Sequence, residues 1–172
     1  DTILGPEMRS TGEVMGVGET FSEAYLKAQL GAGERMPATG KIFLSVREED
    51  KPLIVQTAKN FQTLGYGVCA TRGTAAYLTA HGVVVQTVNK VPEGRPHIVD
   101  AIKNGEIALV VNTTASNPQE IADSHSIRRS ALTQRVPQYT TVAGGEAMSE
   151  GAKSLNNMGV YSVQELQGRL KK

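Results

Sequence analysis

The sequence predicts a doubly wound α/β domain built on a five-stranded parallel sheet. Three observations carry that expectation. Short runs rich in Val and Ile alternate with segments of helical period from Lys41 onward. No two-residue hairpin turn separates the runs. Ile107–Val111 is an unbroken apolar stretch, which suits a strand covered on both faces. Strands joined through helices pair in parallel with right-handed crossovers.

The elements follow in order. Phe21, Ala24, Tyr25 and Ala28 recur at helical spacing after Thr20, a cap with Glu23 three residues on, so a short helix runs to about Leu30 and stops at Gly31 and Gly33. Lys41–Val46 is the first strand. Pro52–Leu64 is the first helix of the main domain, with Leu53, Ile54, Val55, Ala58, Phe61 and Leu64 as its apolar positions and Gly65 and Gly67 ending it. Val68–Ala70 is a short second strand, Thr74–Ala80 a short helix closed near Gly82, and Val83–Val88 a third strand. Ile98–Lys103 is helical up to Gly105, and Ile107–Val111 is the fourth strand. Gln119–Thr133 is a helix, Gln138–Thr141 a weak last strand, and Gly145–Asn156 the helix after it. Ser162 with Glu165 at the third position opens a terminal helix to Leu170.

A chain of 172 residues is long enough to bury one core without disulfides or metal. Its 18 basic and 17 acidic residues leave a formal charge of +1, which argues against nucleic acid or a membrane surface as partner; any anion must be held locally. Cys69 is the only cysteine, so an internal disulfide and a multi-cysteine zinc site are excluded, and the expected compartment is a reducing cytoplasm. No apolar run approaches the roughly 20 residues that span a bilayer, and the amino terminus lacks a secretion signal. The Gly- and Met-rich stretch Asp1–Gly18 reads like the tail of something larger. Glu34–Gly40, with Pro37, makes a boundary between residues 1–34 and a compact domain of residues 35–172.

Sheets of this kind bind ligands beyond the carboxyl ends of their strands, near the reversal of strand order. At those ends lie Ser45 and Lys51 after the first strand, Thr71-Arg72-Gly73-Thr74 after the second, Asn89-Lys90 after the third, and Asn112-Thr113-Thr114 after the fourth. Each has an ordinary structural explanation alone: a common turn, a solvated lysine, a helix cap. Together, hydroxyls, two ammonium groups, an amide and a Gly-containing turn into a helix are what hold a phosphate monoester, because that turn offers free N–H groups and the positive end of a helix dipole. The expected phosphate pocket is therefore Ser45, Lys51, Thr71, Thr74, Lys90, Asn112 and Thr114. No metal-ligand set is expected among His81, His97 and His125, and no P-loop for ATP is present.

At this constellation a resemblance becomes specific. Ser45-Val46-Arg47-Glu48, Val88-Asn89-Lys90-Val91-Pro92-Glu93-Gly94-Arg95-Pro96-His97, Asn112-Thr113-Thr114 and Ile127-Arg128-Arg129-Ser130-Ala131-Leu132 resemble bacterial carbamoyl phosphate synthetase large subunits at their carboxyl-terminal end. The leader agrees. Met8–Gly16 followed by Phe21–Gly31 resembles the close of that family's second ATP-grasp unit. The resemblance implies a methylglyoxal-synthase-like allosteric domain, a Rossmann-type three-layer sandwich whose pocket takes UMP as inhibitor and IMP as activator. It places the phosphate on Lys51, Thr71, Thr74 and Lys90, with Ser45, Asn112 and Thr114 lining the same pocket. It also implies upstream synthetase domains using ATP with Mg or Mn, a glutaminase small subunit, and an oligomeric parent serving pyrimidine and arginine biosynthesis.

Two departures bear on function. The family's ornithine site uses a Tyr-Asp-Thr stretch near the last strand, and here it reads Gln138-Tyr139-Thr140, without the carboxylate. The catalytic Gly-Gly-Asp of methylglyoxal synthases reads Glu93-Gly94-Arg95, and an arginine stays protonated at neutral pH and cannot act as a base. No catalytic residue is therefore expected. The rival readings are a lyase acting on a triose phosphate with Glu93 as base, and a docking or oligomerisation domain that takes no ligand.

Overall fold

The computed structural model describes residues 14–114, 118–155 and 157–170. Its elements are α1 (Phe21–Gly31), β1 (Lys41–Ser45), α2 (Lys51–Thr63), β2 (Gly67–Ala70), α3 (Arg72–Ala80), β3 (Gln86–Thr87), α4 (Ile98–Lys103), β4 (Ile107–Asn112), α5 (Pro118–Thr133), β5 (Gln138–Tyr139), α6 (Val142–Ala152) and α7 (Val163–Leu170), with single 3-10 turns at Glu48–Asp50 and Val91–Glu93. The five strands pair in parallel throughout, in the order β3-β2-β1-β4-β5. The order reverses between β1 and β4, so the crevice for a ligand opens above that pair.

Alternation along the strands builds three layers. Ile42, Leu44, Val68, Ala70, Leu109 and Val111 point to one face and pack with Leu26, Ile54, Phe61, Leu78 and Met148, the buried positions of α1, α2, α3 and α6. Phe43, Cys69 and Val110 point to the other face and meet Ile98, Ile102, Ile127 and Ala131 of α4 and α5. All six residues of β4 are buried, as an apolar run in a double-sided sheet requires. Each fully buried Leu, Ile or Phe contributes about 1.5–3 kcal/mol relative to its exposed state.

Several boundaries differ from the sequence reading, each for a local reason. The second strand starts at Gly67 and β4 runs on to Asn112, one residue beyond the apolar run at each place. Only Gln86 and Thr87 of the expected third strand pair, through Cys69 and Ala70, because β2 is itself short; Val83 is buried without a ladder and Val84 stands exposed. α3 begins two residues early, at Arg72, with Thr71 as its cap. The last strand ends at Tyr139 because Thr141 turns out to accept from the Gly144 N–H and cap α6, which starts at Val142 and ends at Ala152. Asn156, the expected end of that helix, lies outside the described residues, as do residues 1–13 of the leader.

α1 joins the same core. Leu26 is fully buried, and a Cβ on Gly151 of α6 would come within 2.9 Å of the Ser22 carbonyl oxygen, so the two helices touch where only hydrogen fits. Thr20 accepts from the Glu23 N–H as expected. The Glu23 carboxylate does not complete a capping box. It accepts from Glu19 N–H and Gly159 N–H and pairs with Lys27. α7 closes onto this leader through Arg169 to Glu19, with Tyr161 donating to the same carboxylate, and Ser162 and Glu165 form the expected box. Among the described residues, no helix is long and apolar enough to cross a membrane.

Candidate functional site

The carboxyl ends of β1, β2 and β4 frame a cavity of about 290 Å3 at the reversal of strand order. Ser45, Lys51, Thr71, Thr74, Lys90 and Thr114 all line it, so six of the seven side chains singled out in the sequence come together. The elements explain why. Ser45 ends β1 and Thr71 follows β2, which puts their hydroxyls on adjacent strands 3.3 Å apart. Thr71 Oγ1 donates in turn to Thr74 Oγ1 at 3.4 Å, one turn into α3. Lys90 reaches in from the turn after β3.

The amino terminus of α3 is the electrophilic end of the site. Thr71 caps the helix by conformation, with φ −64° and ψ 153°, but its side chain makes no capping bond. The first-turn N–H groups of Arg72, Gly73 and Thr74 therefore have no intrahelical partner, and Gly73 and Thr74 line the cavity. Lys51 sits over this turn. A Cβ on Gly73 would stand 3.4 Å from Lys51 Nζ, so the glycine leaves the space that the ammonium occupies. The Lys51 side chain is only 12% exposed, and its ion-pair partner Glu48 is 83% exposed. A buried cation held by a solvated carboxylate exchanges that partner at little cost for a ligand anion.

Thr74 has a second task. Its hydroxyl accepts from Val46 N–H at 3.3 Å and donates toward Val46 C=O at 3.4 Å, tying α3 to the end of β1. What Thr74 offers a ligand is chiefly its backbone N–H.

Asn112 does not line the cavity, and the physical reason is visible. It is 2% exposed, its Oδ1 accepts from Ser124 Oγ at 3.2 Å, and it braces β4 against α5. Thr113 takes its place on the wall and accepts from Arg47 N–H at 3.0 Å. Arg128 holds this wall from behind, donating to Asn112 C=O at 2.9 Å and to Thr114 Oγ1 at 3.1 Å; burial pulls its guanidinium below the ordinary arginine value. Thr113, placed at the strand end by the sequence but not assigned to the pocket, lines the cavity, as do Arg47, Glu48, Asp123, Ser124 and Ile127, which sequence reasoning did not assign to it. Asp123, Ser124 and Ile127 recur at helical spacing on α5, a signal that becomes readable only once α5 is known to lie beside β4.

Other expectations resolve nearby. Glu93 ends the Val91–Glu93 turn, pairs with Arg72 at 3.3 Å and accepts from Lys90 N–H at 2.7 Å. It does not line the cavity. His81 ends α3 with Nδ1 against Tyr77 C=O, His125 lies exposed in α5, and His97 is the buried cap of α4. Among the described residues, no group of three or more His, Cys, Asp or Glu could hold a metal ion. Cys69 is buried in the sheet, and burial pushes its thiol up to about 12, so it is inert.

A cavity of about 290 Å3 at the switch point of a five-stranded parallel sheet, walled by hydroxyls, two lysines and an open helix terminus, defines the class: a small α/β domain with a polar pocket at the carboxyl edge of its sheet. Residues 53–140 match the family model of the MGS-like domain, and the chain belongs to that family. It is 79% identical over 171 residues, 99% of its length, to the carbamoyl phosphate synthase large chain of Neisseria meningitidis serogroup A, 61% identical over 170 residues to that of Pasteurella multocida and 53% over 171 residues to that of Pseudomonas aeruginosa. The matched part is the C-terminal region, and the chain spans 16% of the length of each of these relatives.

Proposed function

We propose that this chain is the allosteric domain of a carbamoyl phosphate synthase large chain, binding a nucleoside monophosphate such as UMP or IMP in the cavity above β1 and β4. The observation that carries the reading is the placement of Lys51 Nζ over Gly73 at the open terminus of α3, with Ser45, Thr71, Lys90 and Thr114 around the same 290 Å3 space. A phosphoryl group there meets backbone N–H donors, hydroxyls and two ammonium groups. Asp123 of α5 lines the facing wall.

Residues 1–34 are on this reading the end of an upstream ATP-grasp unit, and the whole protein carries ATP with Mg or Mn in its synthetase domains, pairs with a glutaminase small subunit and works in the cytoplasm as an oligomer. Nucleotide binding biases the contact between this domain and the synthetase units. Such coupling is typically about 1–3 kcal/mol and reciprocal. The ornithine effector is not assigned, since Gln138-Tyr139 stand where the family has Tyr-Asp.

The lyase alternative requires Glu93 at the reacting carbon. Its carboxylate instead serves Lys90 N–H and Arg72, away from the cavity wall. Titration of the chain with UMP and IMP, each against its unphosphorylated nucleoside, tests the proposal. A ligand at about 100 times its Kd stabilises by roughly 2.7 kcal/mol. The nucleotide must raise the melting temperature and the nucleoside must not; equal or absent shifts would overturn the reading. Methylglyoxal formation from a triose phosphate would favour the lyase.

A further inference from the structure

A second recess, of about 420 Å3, lies between α4, α5 and the Val91–His97 turn, on the face of the sheet opposite α3. It shares no lining residue with the cavity above β1 and β4. Arg95, Lys103 and Arg129 bring three cations to its wall, and none of its ten lining residues is acidic. Among the described residues, neither Lys103 nor Arg129 has an ion-pair partner, and the partner of Arg95 is Asp100 at a loose 3.8 Å, outside the lining. In a chain whose charges otherwise nearly cancel, this recess gathers three cations and no carboxylate among its lining residues.

A buried group faces the same recess. His97 is more than nine-tenths buried, and its Nδ1 is taken by Asp100, accepting the Asp100 N–H at 3.4 Å in the capping box of α4. Nδ1 also lies 3.1 Å from Asp100 Oδ2, so Asp100 engages that side of the ring through both its backbone and its carboxylate. Nε2 has no hydrogen-bond partner among the described residues, although His97 lines the recess. Val91 and Val99 supply a short apolar wall beside it.

The geometry points to a second anion site, for a small molecule bearing at least two negative charges on neighbouring oxyanions, with Arg95, Lys103 and Arg129 as counter-charges and the His97 ring as a polar contact on the same wall. The concave shape suits a small molecule, and the cations come from three separate elements, so they converge on a point instead of forming a stripe for a polymer.

Inorganic pyrophosphate is the probe. The chain is titrated at constant ionic strength set with NaCl, and the His97 ring proton and the Arg129 and Arg95 side-chain signals are followed by NMR. Saturable shifts at these three residues are expected, and they must persist in Lys51→Ala, which disables the first cavity. Lys103→Ala and Arg129→Gln should each weaken the response about tenfold, the loss of one charge-assisted contact. Both side chains are exposed, and an unchanged amide spectrum verifies the fold of each variant. His97 shifts that vanish in Lys51→Ala would make the response a relay from the first cavity and overturn the site. Linear, unsaturable shifts, or shifts unaffected by Lys103→Ala and Arg129→Gln together, would overturn it as well.

Discussion

The two walls of the cavity above β1 and β4 are built from similar polar residues, yet they use them differently. On the α3 wall, Lys51, Thr71 and the first-turn N–H groups are turned toward the open space, and the one counter-charge, Glu48, is solvent-exposed. On the β4 wall, Ser124 donates to Asn112 Oδ1 and Arg128 donates to the Asn112 carbonyl and Thr114 Oγ1, while the buried Asn112 Nδ2 and Arg128 Nε have no partner among the described residues. On the proposed reading, one wall offers Lys51 and the open helix terminus to a ligand and the other holds β4 against α5. A polar side chain near a site therefore says little until its partners are counted.

This contrast can be broken from either side. The largest effect is expected from Lys51→Ala combined with Lys90→Ala: two charge-assisted contacts of about 1.5–3 kcal/mol each are removed, so monophosphate affinity falls a hundredfold or more. Calorimetric titration reads the loss, while chemical denaturation finds stability within about 0.5 kcal/mol of the parent. Arg128→Ala should do the reverse, costing about 1–3 kcal/mol of stability because two partners on the β4 wall lose their donor. If Arg128→Ala proves neutral to urea denaturation but abolishes binding, the division of labour is wrong.

Gly73→Ala is a finer probe. The added Cβ meets Lys51 Nζ at 3.4 Å, while alanine is the better helix former by about 0.5–1 kcal/mol, so affinity should drop a few-fold as stability holds or rises. The smallest effect belongs to the clasp between leader and α7, remote from both walls. Arg169→Ala should leave the midpoint of urea denaturation almost unchanged, as loss of an exposed ion pair does. Glu19 is held below its ordinary carboxyl value by Arg169 first, Glu23 by Lys27 and Glu165 by the Ser162 N–H. Depressed carboxyl values stabilise above the ordinary value of 4.5 and lose that contribution as pH falls through the lowered ones. Amide exchange in α7 should accordingly accelerate at acid pH before exchange in β4 does.

Much of the fold was legible because it depends on local pattern. The run Ile107–Val111 could only be a central strand, and the spacing of Ser162 and Glu165 could only start a helix. Weak signals failed where neighbours decide. Val83–Val88 reads as a strand from its residues, but a strand exists only as far as its partner offers hydrogen bonds, and β2 offers two. Helix starts shifted because Thr71 and Thr141 cap by conformation and by a hydrogen bond that composition does not announce.

By itself the sequence determined the α/β class and the gathering of Ser45, Lys51, Thr71, Thr74, Lys90 and Thr114 at one edge, since each follows a strand end and parallel strands bring those ends together. Only the tertiary structure decided that Asn112 braces while Thr113 faces the cavity, that Asp123 joins from α5, and that Arg95, His97, Lys103 and Arg129 meet on the opposite face. Those relations join elements far apart in the chain, and hydrogen bonds across such distances leave no periodic trace in the residues that make them.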